Sequence, residues 1–324
     1  MRAALCKAYG PPSTLVIEEV DDPVPGPNDV LVRIAATGLN FFDTLIIENK
    51  YQIKPSLPFS PGSEMSGTVV AVGDKVTGLA PGDRVLGNAG YGCCAEMVAL
   101  PARGVVKIGD DVSFEAAAGL MVTYGTTIHA FRQRADLQPG ETVAILGASG
   151  GIGLAAIEIA KLMGARVIAC ASSDDKLEFC RERGADEVVN YSKEDLKDRL
   201  KELTGGNGVD VVYDPVGGDY AEAALRATAW KGRFLVIGFA SGTIPKIPLN
   251  LALLKGLDIV GVFWGAFTAR EPEAQADNVR VLLDWVASGA LKPHIHAEYP
   301  LDKVADALEE LSGRRAKGKV LIKP

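Results

Sequence analysis

Histidine is nearly missing from this 324-residue chain: only His129, His294 and His296 occur. Zinc sites need several imidazole or thiolate ligands held together, so this scarcity argues against a metal centre. Cysteine is also sparse, at Cys6, Cys93, Cys94, Cys170 and Cys180. An odd, scattered set makes no disulfide framework. The adjacent pair Cys93 and Cys94 lacks the gap of about two to four residues that structural zinc ligands show. Long apolar runs are absent too; none reaches the roughly 18 residues of a membrane span. Positive charge is not in excess, since 34 Lys and Arg against 41 Asp and Glu leave a net charge of -7. That balance excludes a binder of nucleic-acid backbones, which needs clustered Lys and Arg. Residues 1–7 have neither the apolar stretch nor the cleavage site of a secretory signal, so a cytoplasmic protein is expected. No low-complexity tract or short repeat interrupts the chain.

What is present suits two domains, each with its own core. The chain is 48% hydrophobic and carries 36 glycines and 18 prolines, a composition for a globular protein with many turns. Residues 1–123 read as short strands and turns, with strands at 30–35 and 67–73, a turn feeding a strand at 81–87, and helix character at 114–120. This texture points to a partly closed β-barrel. From residue 124 the pattern alternates. Strands are expected at 142–146, 166–171, 209–213 and 232–237, with helices at 151–163, 174–183, 193–204 and 218–229. Such alternation marks βαβ units and a doubly wound parallel sheet. A short strand at 188–190 joins it, and 257–263 reads as its last strand. An unprotected edge there invites pairing with a second copy, so a homodimer through this strand is expected. A helix follows at 276–288. The tail strand 318–322 needs a sheet, most simply that of the first domain. The expected division is 1–123 with 266–324 around an inserted 124–265.

The segment Gly147-Ala148-Ser149-Gly150-Gly151-Ile152-Gly153 follows an apolar strand and opens a helix. A tight turn here would aim free helix N–H groups at an anion, as in sites that grip a dinucleotide pyrophosphate. Against the usual Gly-x-Gly-x-x-Gly spacing, Ala148 takes the first glycine position, so the turn must be slightly more open. Gly150 would let the phosphates approach, and Gly153 would let the helix pack on the strand. NAD sites commonly end the second strand in an acid. Here it ends in Ala171, Ser172 and Ser173, with Lys176 in the first turn of the next helix. Hydroxyls and an ammonium suit a 2′-phosphate, so NADPH is the expected cofactor. Asp174 and Asp175 complicate this, unless they simply cap the helix. Tyr191 could flank the same phosphate.

The chain resembles the zinc-independent quinone oxidoreductases of the medium-chain dehydrogenase/reductase superfamily over essentially its full length. The resemblance rests on residues 38–43, 61–67, 124–130, 147–153, 184–186 and 214–218 and on Gly318-Lys319. It implies a GroES-like first domain, an inserted Rossmann domain and an NADPH-dependent reduction of quinones or activated carbon–carbon double bonds. The departures from zinc alcohol dehydrogenases point the same way. Asn40 stands where those enzymes place a Cys, Ser63 replaces the ligand His in Gly62-Ser63-Glu64, and no four-cysteine lobe lies between Tyr91 and Ile108.

The resemblance places Asn40 beside the nicotinamide or its ribose, with loop capping as its rival role. Asp43 would either fix this loop or organise a proton relay, and Tyr51 would donate through its phenol or form one wall. Thr126 would touch the cofactor or cap its helix, while His129 reads better as a packed side chain than as an acid. Val216, Gly238, Phe239, Phe263 and Trp264 fall at carboxyl ends of expected strands, where such sheets bind ligands. Lys319 would reach the adenosine phosphate or solvate the tail. The expected reaction passes a hydride to a small quinone or enone without metal, in a dry groove between the domains. A reductase of activated acid derivatives or enoyl thioesters, and a non-catalytic NADPH-binding protein, remain as alternatives.

Overall fold

The computed structural model describes residues 1–324. The chain divides into two compact units, Met1–Thr123 with Val281–Pro324, and Tyr124–Arg280.

In the first unit, the strand Asp29–Leu39 organises a seven-stranded sheet. It pairs antiparallel with Glu64–Val72 along one side. On the other side it pairs with Met97–Pro101 over its first half and with Lys319–Lys323 over its second. Register shifts between Leu31 and Val32 and between Ile34 and Ala36 bend the strand, as bulges do. The tail thus joins the first unit's sheet as expected. Several elements of this unit were not anticipated, among them the strands Arg2–Leu5, Val16–Glu19 and Met97–Pro101, the helix Phe41–Ile47, the strand Ile295–Pro300, parallel to Lys319–Lys323, and the helix Val304–Ser312. Ile46, Ile47, Leu308, Val320 and Ile322 close one of its cores.

The second unit holds a six-stranded, wholly parallel sheet. Its spatial order is Glu187–Asn190, Arg166–Ala171, Thr142–Leu146, Val209–Asp214, Thr228–Val236 and Asp258–Gly261. The chain runs outward in one direction from Thr142–Leu146 and then in the other from Val209–Asp214. The switch point lies between these two strands, and ligands bind at their carboxyl ends in such sheets. Val143, Ala144, Ile145 and Leu146 are all fully buried, because a central parallel strand is covered on both faces.

The division of the chain differs from the expected one at its second boundary. Residues 266–280 belong to the second unit, and side chains explain why. Phe267 stacks on His129 at 3.7 Å, Trp264 Nε1 donates to Gln275 Oε1, and Arg132 donates to Asn278 Oδ1 and pairs with Asp277. The last strand is also shorter than expected. It ends at Gly261, and Trp264 begins the helix Trp264–Arg270, so Phe263 and Trp264 lie beyond the strand.

Candidate active site

In the second unit a glycine turn builds a cradle from backbone. Strand Thr142–Leu146 runs into Gly147, whose φ of +59° turns the chain sharply. Ala148 is fully buried and its N–H donates to Cys170 O at 3.1 Å, tying the turn to the neighbouring strand. Gly150 caps the helix Gly151–Leu162, whose first turn contains no acidic residue. The first N–H groups of a helix have no intrahelical partner, so this end favours an anion. The two critical glycines differ in kind. A Cβ on Gly153 would lie 2.4 Å from Gly147 O and 2.6 Å from Ala148 Cα, so the protein itself requires glycine there. A Cβ on Gly150 would meet only Gly147 O, at 3.5 Å. The space beside Gly150 is therefore open to a group that is not protein. A dinucleotide pyrophosphate fits this cradle in charge and in approach.

Beyond the next strand, Ser172 is exposed and Lys176 half-buried. Asp174 accepts from Asn190 Nδ2 at 2.6 Å and from Lys193 Nζ at 2.5 Å, and the Lys193 contact holds its carboxyl below the usual range. Ser173 Oγ donates to Asp175. The two carboxylates at this helix start are thus engaged, which weakens their objection to a phosphate near Ser172 and Lys176. Tyr191 packs on Tyr220 with ring centroids 4.2 Å apart.

At the switch point, Asp214 Oδ1 accepts the N–H groups of Val216 and Gly217 at 2.8 and 2.9 Å, fixing the loop after its strand. Burial raises the Asp214 carboxyl above the usual range. Gly238 and the exposed Phe239 follow the adjacent strand. Thr126 is buried in the helix Gly125–His129, and a Cβ on Gly125 would lie 3.2 Å from Trp264 Nε1. Phe263 is two-thirds exposed, at 66%. His129 is buried against Phe267, and burial lowers its pKa. A packed imidazole held neutral makes a poor proton donor, in line with the packing role expected for it.

In the first unit a polar cluster is built on side chains brought together by strand register. Gly38 lies opposite Glu64, and Leu39 opposite Val320. The residues next in line, Asn40 and Lys319, therefore meet Glu64 at one end of three adjacent strands. Lys319 Nζ donates to Glu64 Oε1 at 2.7 Å, to Asn40 Oδ1 at 2.9 Å and to Leu39 O at 2.9 Å. This corrects the placement expected for Lys319. It is 2% exposed and all three ammonium donors are used inside the first unit, so it neither solvates the tail nor has a donor left for a phosphate. Glu64, absent from the expected site, is fully buried and takes the Val122 N–H on Oε2 at 2.8 Å. The signal for it was a lone carboxylate entering an otherwise apolar or small-residue strand, Glu64–Val72.

Asp43 sits in the first turn of the helix Phe41–Ile47, and its Oδ2 accepts the Asn40 N–H at 2.7 Å. Its Oδ1 is buried without a hydrogen-bond partner. Burial pushes this carboxyl up to about 7, against the opposing hydrogen bond from Asn40 and the Lys319 charge. Tyr51 stacks on Phe42 at 5.1 Å and is half-buried; burial and then Asp43 raise its phenol. All five cysteines are buried and none is in a disulfide, and no group of three or more His, Cys, Asp or Glu side chains is placed to hold a metal ion.

Two family descriptions match the chain: "Alcohol dehydrogenase GroES-like domain" over residues 26–110 and "Zinc-binding dehydrogenase" over residues 151–284. The quinone oxidoreductase-like protein 2 homolog of Nematostella vectensis is 42% identical over 325 residues, covering 99% of this chain and 88% of that protein. Human quinone oxidoreductase is 31% identical, covering 99% and 97%. Among solved structures, the Escherichia coli quinone oxidoreductase complexed with NADPH superposes with a TM-score of 0.93 at 31% identity, covering 100% of both chains. The Pseudomonas syringae quinone oxidoreductase gives 0.92 at 36% identity, covering 100% and 99%. With these relatives along its whole length and no set of side chains to hold a metal, the chain belongs to the zinc-independent quinone oxidoreductases of the medium-chain dehydrogenase/reductase superfamily.

Proposed function

We propose that this protein reduces small quinones or activated enones with NADPH, by direct hydride transfer and without a metal. The observation that carries the reading is the open cradle beside Gly150, at a helix start free of acidic residues. NADPH supplies two electrons and one hydrogen to an electron-poor carbon, and one proton completes the reduction. The chain's own residues bind, orient and handle that proton. Ala148, Ser149 and Gly150 shape the turn against the pyrophosphate, and the free amides of the helix start, Gly151, Ile152 and Gly153, hold it. Ser172, Lys176 and Tyr191 hold the 2′-phosphate, which selects NADPH over NADH. Val216, Gly238, Phe239, Phe263, Trp264 and Thr126 are offered as further cofactor contacts, and Asn40 as the contact of the nicotinamide or its ribose. Asp43, with a carboxyl near neutrality and one unpartnered oxygen, can hold or release a proton at physiological pH, and Tyr51 lies within its electrostatic reach.

The working form is a homodimer joined at the last strand of the parallel sheet. Asp258–Gly261 is an unpaired edge, and the second unit also exposes Trp230, Leu249, Leu253 and Leu254 at 68% to 80%. Such an apolar surface beside an open edge suits a second copy of the chain. No helix is long and apolar enough to cross a membrane. Five cysteines without a disulfide suit a reducing compartment such as the cytoplasm.

The test is loss of NADPH absorbance with a panel of quinones, small enones and enoyl thioesters, repeated with NADH. Consumption with quinones or enones, and preference for NADPH, is the expected outcome. Consumption with thioesters alone would move the substrate class to acyl carriers. Tight NADPH binding with no consumption on any member would leave a non-catalytic binding protein.

A further inference from the structure

The buried pair of Lys319 and Glu64 has no part in the reading above, and it is costly to keep. Removing two charges from water is repaid only by close geometry and further hydrogen bonds, and apolar residues often serve stability as well. The rest of the unit is shaped to hold the pair. A Cβ on Gly38 would lie 2.2 Å from Ala118 O and 2.9 Å from Glu64 Oε1, and one on Gly119 would lie 3.1 Å from Lys319 Cγ. Both glycines clear room for the ions.

What the pair grips is the side chain of Asn40. Lys319 donates to its Oδ1 at 2.9 Å, and its Nδ2 donates to Glu64 Oε1, also at 2.9 Å. A flipped amide would set NH₂ against an ammonium and a carbonyl against a carboxylate, so only one orientation survives. In that orientation the other Nδ2 hydrogen has only long contacts, Ser63 Oγ at 3.3 Å and Gly38 O at 3.4 Å. It is the donor that can exchange a weak partner for a ligand.

We infer that Lys319 and Glu64 are positioning residues, which lock the Asn40 amide so that one N–H and one oxygen lone pair are presented to the bound nicotinamide end in a fixed orientation. This rests on the reading of Asn40 as a cofactor contact. The pair acts through Asn40 and touches neither cofactor nor substrate.

A double-mutant cycle tests it. One arm is Asn40→Ala. The other is Glu64→Gln with Lys319→Met, which removes both charges together so that neither is left buried alone. Each arm is expected to lower kcat about 10- to 100-fold, the scale of a mis-set contact at the reacting centre. KM for NADPH should stay within about threefold, because the second unit grips the phosphates. Combining the arms should cost less than about threefold beyond either one, since residues acting as one unit are not additive. Losses that multiply would overturn the inference while leaving Asn40 in the site. An Asn40→Ala enzyme of undiminished kcat would remove both the Asn40 reading and the inference. If the charge-free arm does not fold, Lys319→Arg, which keeps the charge but not the three-donor geometry, replaces it in the same cycle.

Discussion

The two units solve the same problem, holding a polar group in place, by opposite means. In the second unit the tools are backbone, the glycine turn and helix start of residues 147–153, with space left open beside Gly150. In the first unit the tools are side chains of residues 40, 43, 64 and 319, buried and nearly saturated with hydrogen bonds. A backbone cradle costs little until its ligand arrives. A buried charge cluster carries its cost permanently and returns orientation. The contrast implies that damage to the first unit should appear mainly in stability and turnover. Damage to the second should appear mainly in cofactor affinity.

The hardest way to break the comparison is to strip one ion from the pair. Lys319→Met alone leaves Glu64 buried without its partner, and should destabilise the protein by about 3–5 kcal/mol. Urea unfolding measures it. A loss under about 1 kcal/mol would mean that the pair is not held as described.

Next in size is Asp43. The unfolded chain releases its proton near 3.8 and the folded one near 7. Between these values the folded state binds more proton, so the stability linked to Asp43 is full below 3.8 and is lost as the pH rises to about 7. The cost at and above neutrality is on the order of 4 kcal/mol. Asp43→Asn removes this cost, so its stability relative to wild type should climb between pH 4 and pH 7. Parallel unfolding curves across that range would show an ordinary carboxyl.

The glycines sharpen the comparison within one turn. Gly153→Ala should destabilise by about 1–3 kcal/mol through overpacking against Gly147 and Ala148. Gly150→Ala should melt like wild type and still bind NADPH more weakly, because its methyl fills space meant for phosphate. Equal melting losses at both positions would deny the difference. Smallest in stability is Lys176→Ala, expected to leave the fold alone and weaken NADPH about tenfold or more while sparing NADH, as for the loss of one charge-assisted hydrogen bond. Equal weakening of both cofactors would reject the phosphate assignment.

The same contrast explains what the sequence revealed. The glycine turn was legible because strand, turn and helix are neighbours in the chain, and the sheet followed from alternating strand and helix texture. The role of Lys319 was not legible, because its partners lie about 255 to 280 positions away and meet it only through strand register. Local reading saw a cation in the tail and offered it either a phosphate or solvent. The strand Ile295–Pro300 was missed for a related reason. It carries His296, Glu298 and Pro300, is nowhere fully buried, and so has no apolar period to read. The second boundary was misplaced because Phe267, Gln275 and Asn278 find their partners, apart from Trp264, more than 100 positions back, at His129, Arg132 and Gln133.

The most direct test of the central claim follows the hydride itself. NADPH carrying deuterium at the transferable C4 position is oxidised with an enone in ordinary water, and the product is read by mass and NMR. Direct transfer predicts one deuterium per product molecule, on the carbon β to the carbonyl. Deuterium appearing in the solvent, with the β carbon unlabelled, would contradict it.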